Sequence, residues 1–245
     1  MLGTHKRTLT SAPNWNSVRR TRQVRTVVVC LPPDTDPRRL PELAATRLRL
    51  HSLTANGTVQ HFVARTRRTS KLIDCWQGVT SGGPIRLLDL AAMRHQAAAA
   101  ASARWQLWQH VTAGTRPAQP FWQFLDRHRA DPDRYPLERA QSEYISQPRV
   151  LAMKVHNAMP NRICELPTGS LEIFQAGPGT YVSVAALAAV PADGLAALHG
   201  SHTGDGYLTT ASERLADQLT YLQAANAHID GLHPNQPLAA MAIPV

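Results

Sequence analysis

The chain has 245 residues, of which 43% are hydrophobic, and a formal net charge of +9. This length and composition predict a folded protein with its own core and exclude a wholly disordered chain. No apolar run reaches the roughly 18 residues of a transmembrane helix, and the N-terminal segment lacks the apolar stretch of a secretion signal.

The chain begins with a strongly basic segment. Residues 1–22 carry five cations and no acid, which is typical of a mobile basic arm or of one that orders on a phosphate backbone. The run 24–31 is continuous and rich in β-branched residues, so it predicts a buried strand that ends at Pro32 and Pro33.

A helix and a second strand are expected next. Asp36 followed by Pro37 is an N-cap with proline at the first helical position, and it predicts a helix over about 37–52. Asn56-Gly57 is a turn signal, and the loosely alternating segment 58–65 predicts a strand. The first part of the chain is therefore expected to form a strand–helix–strand unit.

The middle of the chain is predicted to be helical. Residues 85–110 contain an alanine-rich run, and helices are also expected at 121–129 and 136–158. Large aromatic side chains dominate burial, so those of this block are expected in a core. They are Trp105, Trp108, Phe121, Trp122 and Phe124.

The last third is expected to complete a sheet. Segments 170–175 and 180–190 are apolar and joined by Ala176-Gly177-Pro178-Gly179, a pattern that favours a hairpin. A leucine stripe predicts a helix over 209–228, and 237–244 predicts a final strand.

The order of these elements indicates an α+β protein. We predict a ferredoxin-like (RRM-like) sheet formed by residues 23–84 and 163–245. Residues 85–162 would form a helical lobe inserted into it, and 1–22 the basic arm.

Charge is distributed very unevenly. Residues 1–75 hold 14 basic and 4 acidic side chains, a net of +10, whereas 166–245 hold one basic and six acidic, a net of −5. Concentrated arginine suits phosphates, so nucleic acid is the expected partner, against the alternative of an ordinary solvated surface. The candidate binding residues are Arg19, Arg20, Arg22, Arg25, Arg65, Arg67, Arg68, Lys71, Arg94, Arg104, Arg116, Arg127 and Arg129.

One group of arginines is expected to form a continuous edge. Arg38 and Arg39 follow the first strand, and Arg65, Arg67 and Arg68 leave the second. Two arginines in the first turn of a helix oppose its dipole unless an anion lies nearby. This placement favours a phosphate site over simple solvation.

The cysteines and histidines indicate no strong metal site. Cys30, Cys75 and Cys164 are widely spaced, so we expect buried free thiols and a cytoplasmic protein. His199, His202 and Asp205 share a glycine-rich loop, which is a weak zinc signal. We predict neither a metal nor another cofactor.

The element order and the arginine enrichment resemble those of the RAMP superfamily of CRISPR systems. The glycine-rich loop of that superfamily is partly present here, at Gly169 and Gly177-Pro178-Gly179. With its helical insertion, the chain is similar to the CRISPR-RNA-processing endoribonucleases of plasmid-borne type IV systems.

The resemblance implies metal-independent cleavage of a hairpin precursor RNA in antiviral defence. A 2′-hydroxyl would attack the adjacent phosphate and leave a 2′,3′-cyclic end, which requires a base and nearby cations. Arg38 and Arg39 would stabilise the phosphate, and His51 or Tyr181 would exchange the proton. The protein would then act alone or within a ribonucleoprotein complex, without a membrane.

Two alternatives from other classes stay open. The first is a non-enzymatic nucleic-acid-binding protein of a plasmid or mobile element, which would use the arm and the helical lobe. The second is an assembly subunit whose acidic C-terminal part, residues 166–245, packs against a basic partner.

Overall fold

The computed structural model of the protein describes residues 24–33, 35–65, 70–197 and 206–244. Several predicted features lie outside these residues. They are the arm with Arg19, Arg20 and Arg22, the edge residues Arg67 and Arg68, and the loop residues His199, His202 and Asp205.

Eight α-helices and eight strands occur in the described part of the chain. The helices are α1 Leu40–Leu50, α2 Leu90–Val111, α3 Phe121–Ala130, α4 Leu137–Ile145, α5 Pro148–Ala158, α6 Leu171–Gln175, α7 Pro178–Ala188 and α8 Leu215–Asp230. The strands are β1 Val24–Cys30, β2 Gly57–Thr58, β3 Phe62–Val63, β4 Val79–Thr80, β5 Gly82–Pro84, β6 Gly194–Ala196, β7 Tyr207–Thr209 and β8 Pro237–Pro244. The class is α+β, as predicted.

The main sheet is mixed and centres on β1. Its strand order is β2-β8-β1-β6-β7, and β5 pairs with the remaining length of β8. Val28 pairs with Leu195 of the parallel strand β6 and with Ala240 of the antiparallel strand β8. Strands β3 and β4 form a separate two-stranded ladder.

Alternate residues of β1 point to the two faces of this sheet, as the period of a strand requires. Val27 and Val29 belong to the core on the α1 face. Val28 and Cys30 belong to the core on the opposite face, which α8 covers with Leu222 and neighbouring side chains. The sheet therefore separates α1 from α8.

A second core holds the helices together. It contains Trp108 of α2, Phe124 of α3, Tyr144 of α4 and Met153 of α5. It also includes Tyr181 of α7, so helical packing continues well past residue 162, the predicted end of the helical lobe. Helix α7 links the two bodies of structure, since its Val184 lies in the core beneath the sheet.

Most long elements match their predicted positions. The first strand, the first helix and the final strand are confirmed at β1, α1 and β8. The predicted strand 58–65 is wrong as a single element. It divides into β2 and β3, which belong to different sheets.

The hairpin predicted around residues 170–190 is wrong, because both segments are helices. Gly177 has φ +101° and Pro178 occupies the first turn of α7, a position where proline is favoured. A continuous apolar run fits a buried strand and a buried helix equally well. Here the run lies between α2, α6 and α8, where a helix is apolar on most sides.

Candidate nucleic-acid interface

Among the described residues, the outer side of α1 carries the clearest concentration of cations without a hydrogen-bond or ion-pair partner. Leu40, Ala44 and Leu48 are fully buried against the sheet, so their helical period turns the intervening positions outward. Arg38, Arg39 and Arg49 are exposed and Arg47 is half-exposed, whereas Glu42 is the acid of this helix. We call the four arginines the α1 basic face.

The start of this face is fixed by local hydrogen bonding. Asp36 accepts a hydrogen bond from the backbone N–H of Arg38 at 3.0 Å, and Pro37 begins the 3₁₀ turn Pro37–Arg39 that leads into α1. The predicted N-cap is thus confirmed. It directs Arg38 and Arg39 into solvent at the positive end of the helix dipole, where an anion is favoured.

A shallow groove of about 310 Å³ adjoins the start of α1. Its lining residues include Lys71 and Arg86 together with Asp36 and Leu40. The Arg86 Nε donates to the Asn235 side-chain oxygen at 2.7 Å, which orients the guanidinium. Lys71 was among the predicted binding residues, and Arg86 was missed because nothing in its local sequence marks it.

The predicted edge of arginines is described only in part. Arg65 is exposed, and its guanidinium lies 3.7 Å from the Asp89 carboxylate. Asp89 is also the N-cap of α2 and accepts from the Ala92 N–H at 3.1 Å. The groove at the start of α1 is lined by Lys71, and Arg65 is not among its lining residues.

The arginines of the helical lobe are mostly engaged within the fold. Arg94 donates to Asp230 and Asn226, each at 2.9 Å. Arg129 pairs with Asp126 at 3.2 Å. Side chains held in this way are less available to phosphates than those of α1.

Three further arginines of the lobe differ in their surroundings. Arg127 donates to Gln119 at 3.2 Å, and its guanidinium lies 5.4 Å from the centroid of the Phe124 ring. Arg104 is half-buried beside Tyr181, and its interaction with the Tyr181 hydroxyl raises the pKa of Arg104. Arg116 is exposed in the loop after α2.

His51 lies at the opposite end of α1, next to a tyrosine that the sequence did not indicate. Its ring centroid is 5.6 Å from that of Tyr207 in β7, with the planes tilted by 30°. Burial raises the pKa of Tyr207, while its interaction with Thr209 and the positive charge of Arg25 act to lower it. Arg25, a predicted binding residue, is exposed near the start of β1.

Tyr181 lies in a different part of the molecule. It is buried in the helical core and stacks on Phe174, with ring centroids 4.2 Å apart. Burial raises its pKa. Because α1 and α7 lie on opposite faces of the sheet, the structure does not bring Tyr181 together with Arg38, Arg39 or His51.

The predicted aromatic core is confirmed for the helical lobe. Trp108 and Phe124 are buried, and Trp105, Phe121 and Trp122 are half-buried against them or against α6. Trp76, which was not among these predicted core residues, has an exposed side chain.

Neither cysteines nor metal ligands form a site in the described residues. All three cysteines are free, with Cys30 buried and the other two half-buried. No group of three or more metal-binding side chains occurs there. Within the same residues, no helix has the length and hydrophobicity needed to cross a membrane.

Comparison with protein-family models, with curated proteins and with solved structures finds no match to this chain.

Proposed function

We propose that the protein binds structured RNA through the α1 basic face and the groove beside it. The observation that carries the proposal is the contrast between two sets of arginines. The side chains of Arg38, Arg39, Arg47 and Arg49 form no hydrogen bond or ion pair with any described residue. Those of the lobe have acidic or amide partners in most cases.

Size and geometry suit a phosphate backbone. Positions 39 and 49 are separated by about 15 Å along the helix axis, which is long enough to meet several successive phosphates. Arginine binds a phosphate through two parallel N–H groups. A rigid helix that presents such groups recognises the shape of an RNA duplex rather than its base sequence.

RNA cleavage is the second part of the proposal, and it rests on the His51–Tyr207 pair. His51 would accept the proton of a 2′-hydroxyl as the 2′-oxygen bonds to phosphorus. The bond from phosphorus to the 5′-oxygen would break, and Tyr207 would return a proton to that leaving oxygen. Arg25 and Arg49 would stabilise the charge on the phosphate. Tyr207 thereby replaces Tyr181 in the predicted role.

The RAMP-like, ferredoxin-like assignment stays a prediction. Its support is the central strand β1, joined through α1 to the rest of the sheet and flanked by the C-terminal strand β8. Two features differ from the prediction. The segment 171–188 is helical where two strands were expected, and β1 pairs in parallel with β6, a strand that was not predicted.

Binding is tested with a radiolabelled RNA hairpin over a range of salt concentrations. A triple variant, Arg38→Gln, Arg39→Gln and Arg49→Gln, should weaken binding. The slope of log K against the logarithm of the salt concentration should become shallower by about two. The matched control removes the same charge from acid-paired positions, as Arg129→Gln, Arg134→Gln and Arg139→Gln. Equal effects of the two triples would refute the α1 interface.

Cleavage is tested separately in the presence of a chelator, with analysis of the product ends. We expect 2′,3′-cyclic ends from the unaltered protein and none from His51→Ala, while Tyr181→Phe retains activity. Binding without cleavage would favour the non-enzymatic alternative. Equal affinity for duplex DNA would favour a DNA-binding accessory protein.

A further inference from the structure

Trp76 is held in solvent by a tight turn. Its side chain is 67% exposed, whereas the other described tryptophans are buried or half-buried. The backbone groups of Trp76 and Val79 exchange hydrogen bonds at 2.8 and 2.9 Å. Between them, Gln77 and Gly78 have φ values of +48° and +82°, the conformation of a two-residue turn that requires positive φ twice.

The segment before Trp76 is anchored on both sides. The Asp74 carboxylate accepts from the Thr58 hydroxyl at 2.7 Å, and its carbonyl accepts from the Gln60 side chain at 3.2 Å. Cys75 packs against the core beneath the sheet. An exposed indole on an anchored turn loses little conformational freedom when it binds a ligand.

The surroundings of this turn favour a polyanion. Among the described residues, Arg65 lies beside the turn, because the Ala64 N–H donates to the Gly78 carbonyl at 2.8 Å, and Lys71 and the acid Asp74 precede the turn in the chain. The carboxylate of that acid is already bonded to Thr58 of β2. Strand β2 is the next element after α1 and contacts it, so the bond from Thr58 to Asp74 ties the segment before the turn to the edge strand that packs beside α1.

We infer that Trp76 stacks an unpaired nucleobase of the RNA whose duplex lies on α1. The inference rests on the proposed function and adds the ligand class for this edge, a single-stranded extension of the hairpin. An indole face stacks on any base, and nearby cations hold the backbone of the strand. The segment therefore contributes affinity without sequence preference.

The experiment compares three RNAs: a blunt hairpin, the same hairpin with five unpaired uridines at its 5′ end, and the same hairpin with five unpaired uridines at its 3′ end. The full-length protein should bind one extended RNA at least about fivefold more tightly than the blunt one. Trp76→Ala should abolish this difference and leave the Kd for the blunt hairpin unchanged. Trp76→Phe, which keeps an aromatic face, should retain most of it.

Failure of the two proposals gives different results. If the protein does not bind the blunt hairpin, the proposed function fails, and this inference fails with it. If it binds all three RNAs equally, or if Trp76→Ala weakens all of them alike, only the inference fails. It also fails if Trp76→Ala converts a dimer to a monomer in sedimentation without changing RNA affinity, because Trp76 then contacts a second copy.

Discussion

Arg214 donates from its Nη2 atom to the Asp126 Oδ2 atom over 2.7 Å, which joins the start of α8 to α3. The same guanidinium lies 4.7 Å from the centroid of the Trp122 ring. The indole N–H of Trp122 donates in turn to Glu172 at 2.9 Å. The single cation of residues 166–245 is therefore a structural link between the sheet body and the helical lobe, which accounts for its presence in an otherwise acidic segment.

Arg214→Gln should destabilise the protein modestly. Arg214 and Asp126 are 50% and 38% exposed, so solvent screening limits their ion pair, and the stacking on Trp122 adds a similar small amount. We expect a loss of about 1 kcal/mol in the free energy of unfolding and a fall in Tm of about 2–4 °C. Calorimetry measures both. Arg134, which pairs with Asp131, is 90% exposed, so Arg134→Gln should change Tm by less, and an equal fall in both variants would contradict this assignment.

Local patterns identified the elements that are long and carry a signal in their own residues. The β-branched run of β1 and the Asp36-Pro37 start of α1 are such signals. Strand β6, by contrast, has three residues, and Gly194 and Leu195 become a strand only by pairing with Val27 and Val28 of β1. No local pattern encodes such a distant partner.

The candidate site likewise combines residues that a local pattern could place with residues that only distant strand pairing brings together. Arg38 and Arg39 could be placed from the sequence because their exposure depends on the helix that they begin. The neighbour of His51 depends on how β7 pairs with β6, through Ala196 and Tyr207. Tyr181 belongs to the segment 180–190 that was expected to be a strand, and the helix α7 places it on the other face of the sheet.

Gly82→Ala should be strongly destabilising. Gly82 has φ +158°, and an added Cβ atom would lie 2.1 Å from the carbonyl oxygen of Leu238 in the paired strand β8. That backbone cannot move without breaking the β5–β8 pairing. We expect a loss of more than about 3 kcal/mol, measured by urea denaturation.

The control for this variant is Gly169→Ala. Nothing lies within 4 Å of a Cβ atom at Gly169, so the free energy of unfolding should change by about 0.5 kcal/mol or less. If Gly82→Ala proves as stable as Gly169→Ala, the close approach of β5 to β8 is wrong.

Half-buried His61 should make the protein less stable in mild acid. Its Nε2–H donates to the Val190 carbonyl at 2.9 Å, and burial lowers its pKa from the ordinary value of 6.5. The unfolded chain therefore takes up this proton at a higher pH than the folded chain does. The contribution of neutral His61 to the free energy of unfolding is fully present above about pH 6.5. It is lost as the pH falls from there through the lowered pKa.

The measurement is Tm against pH from 7.5 to 5, for the unaltered protein and for His61→Gln. The glutamine amide can still donate to Val190 but does not titrate, so its curve should fall less steeply. Burial lowers the pKa of His228 as well, so part of the fall in Tm with decreasing pH should remain in both proteins. Parallel curves would show that His61 is not the buried group responsible.

Cys30 should be inert in the folded protein. It is fully buried in the central strand, and burial raises its pKa to about 12, so at pH 8 almost none of it is the reactive thiolate. We expect Cys75 and Cys164, which are half-buried, to react first with a disulfide reagent. In the double variant Cys75→Ser, Cys164→Ser, no thiol should react until denaturant is added, after which one equivalent appears. Rapid reaction of that variant under native conditions would show that β1 is accessible, and would overturn its place at the centre of the sheet.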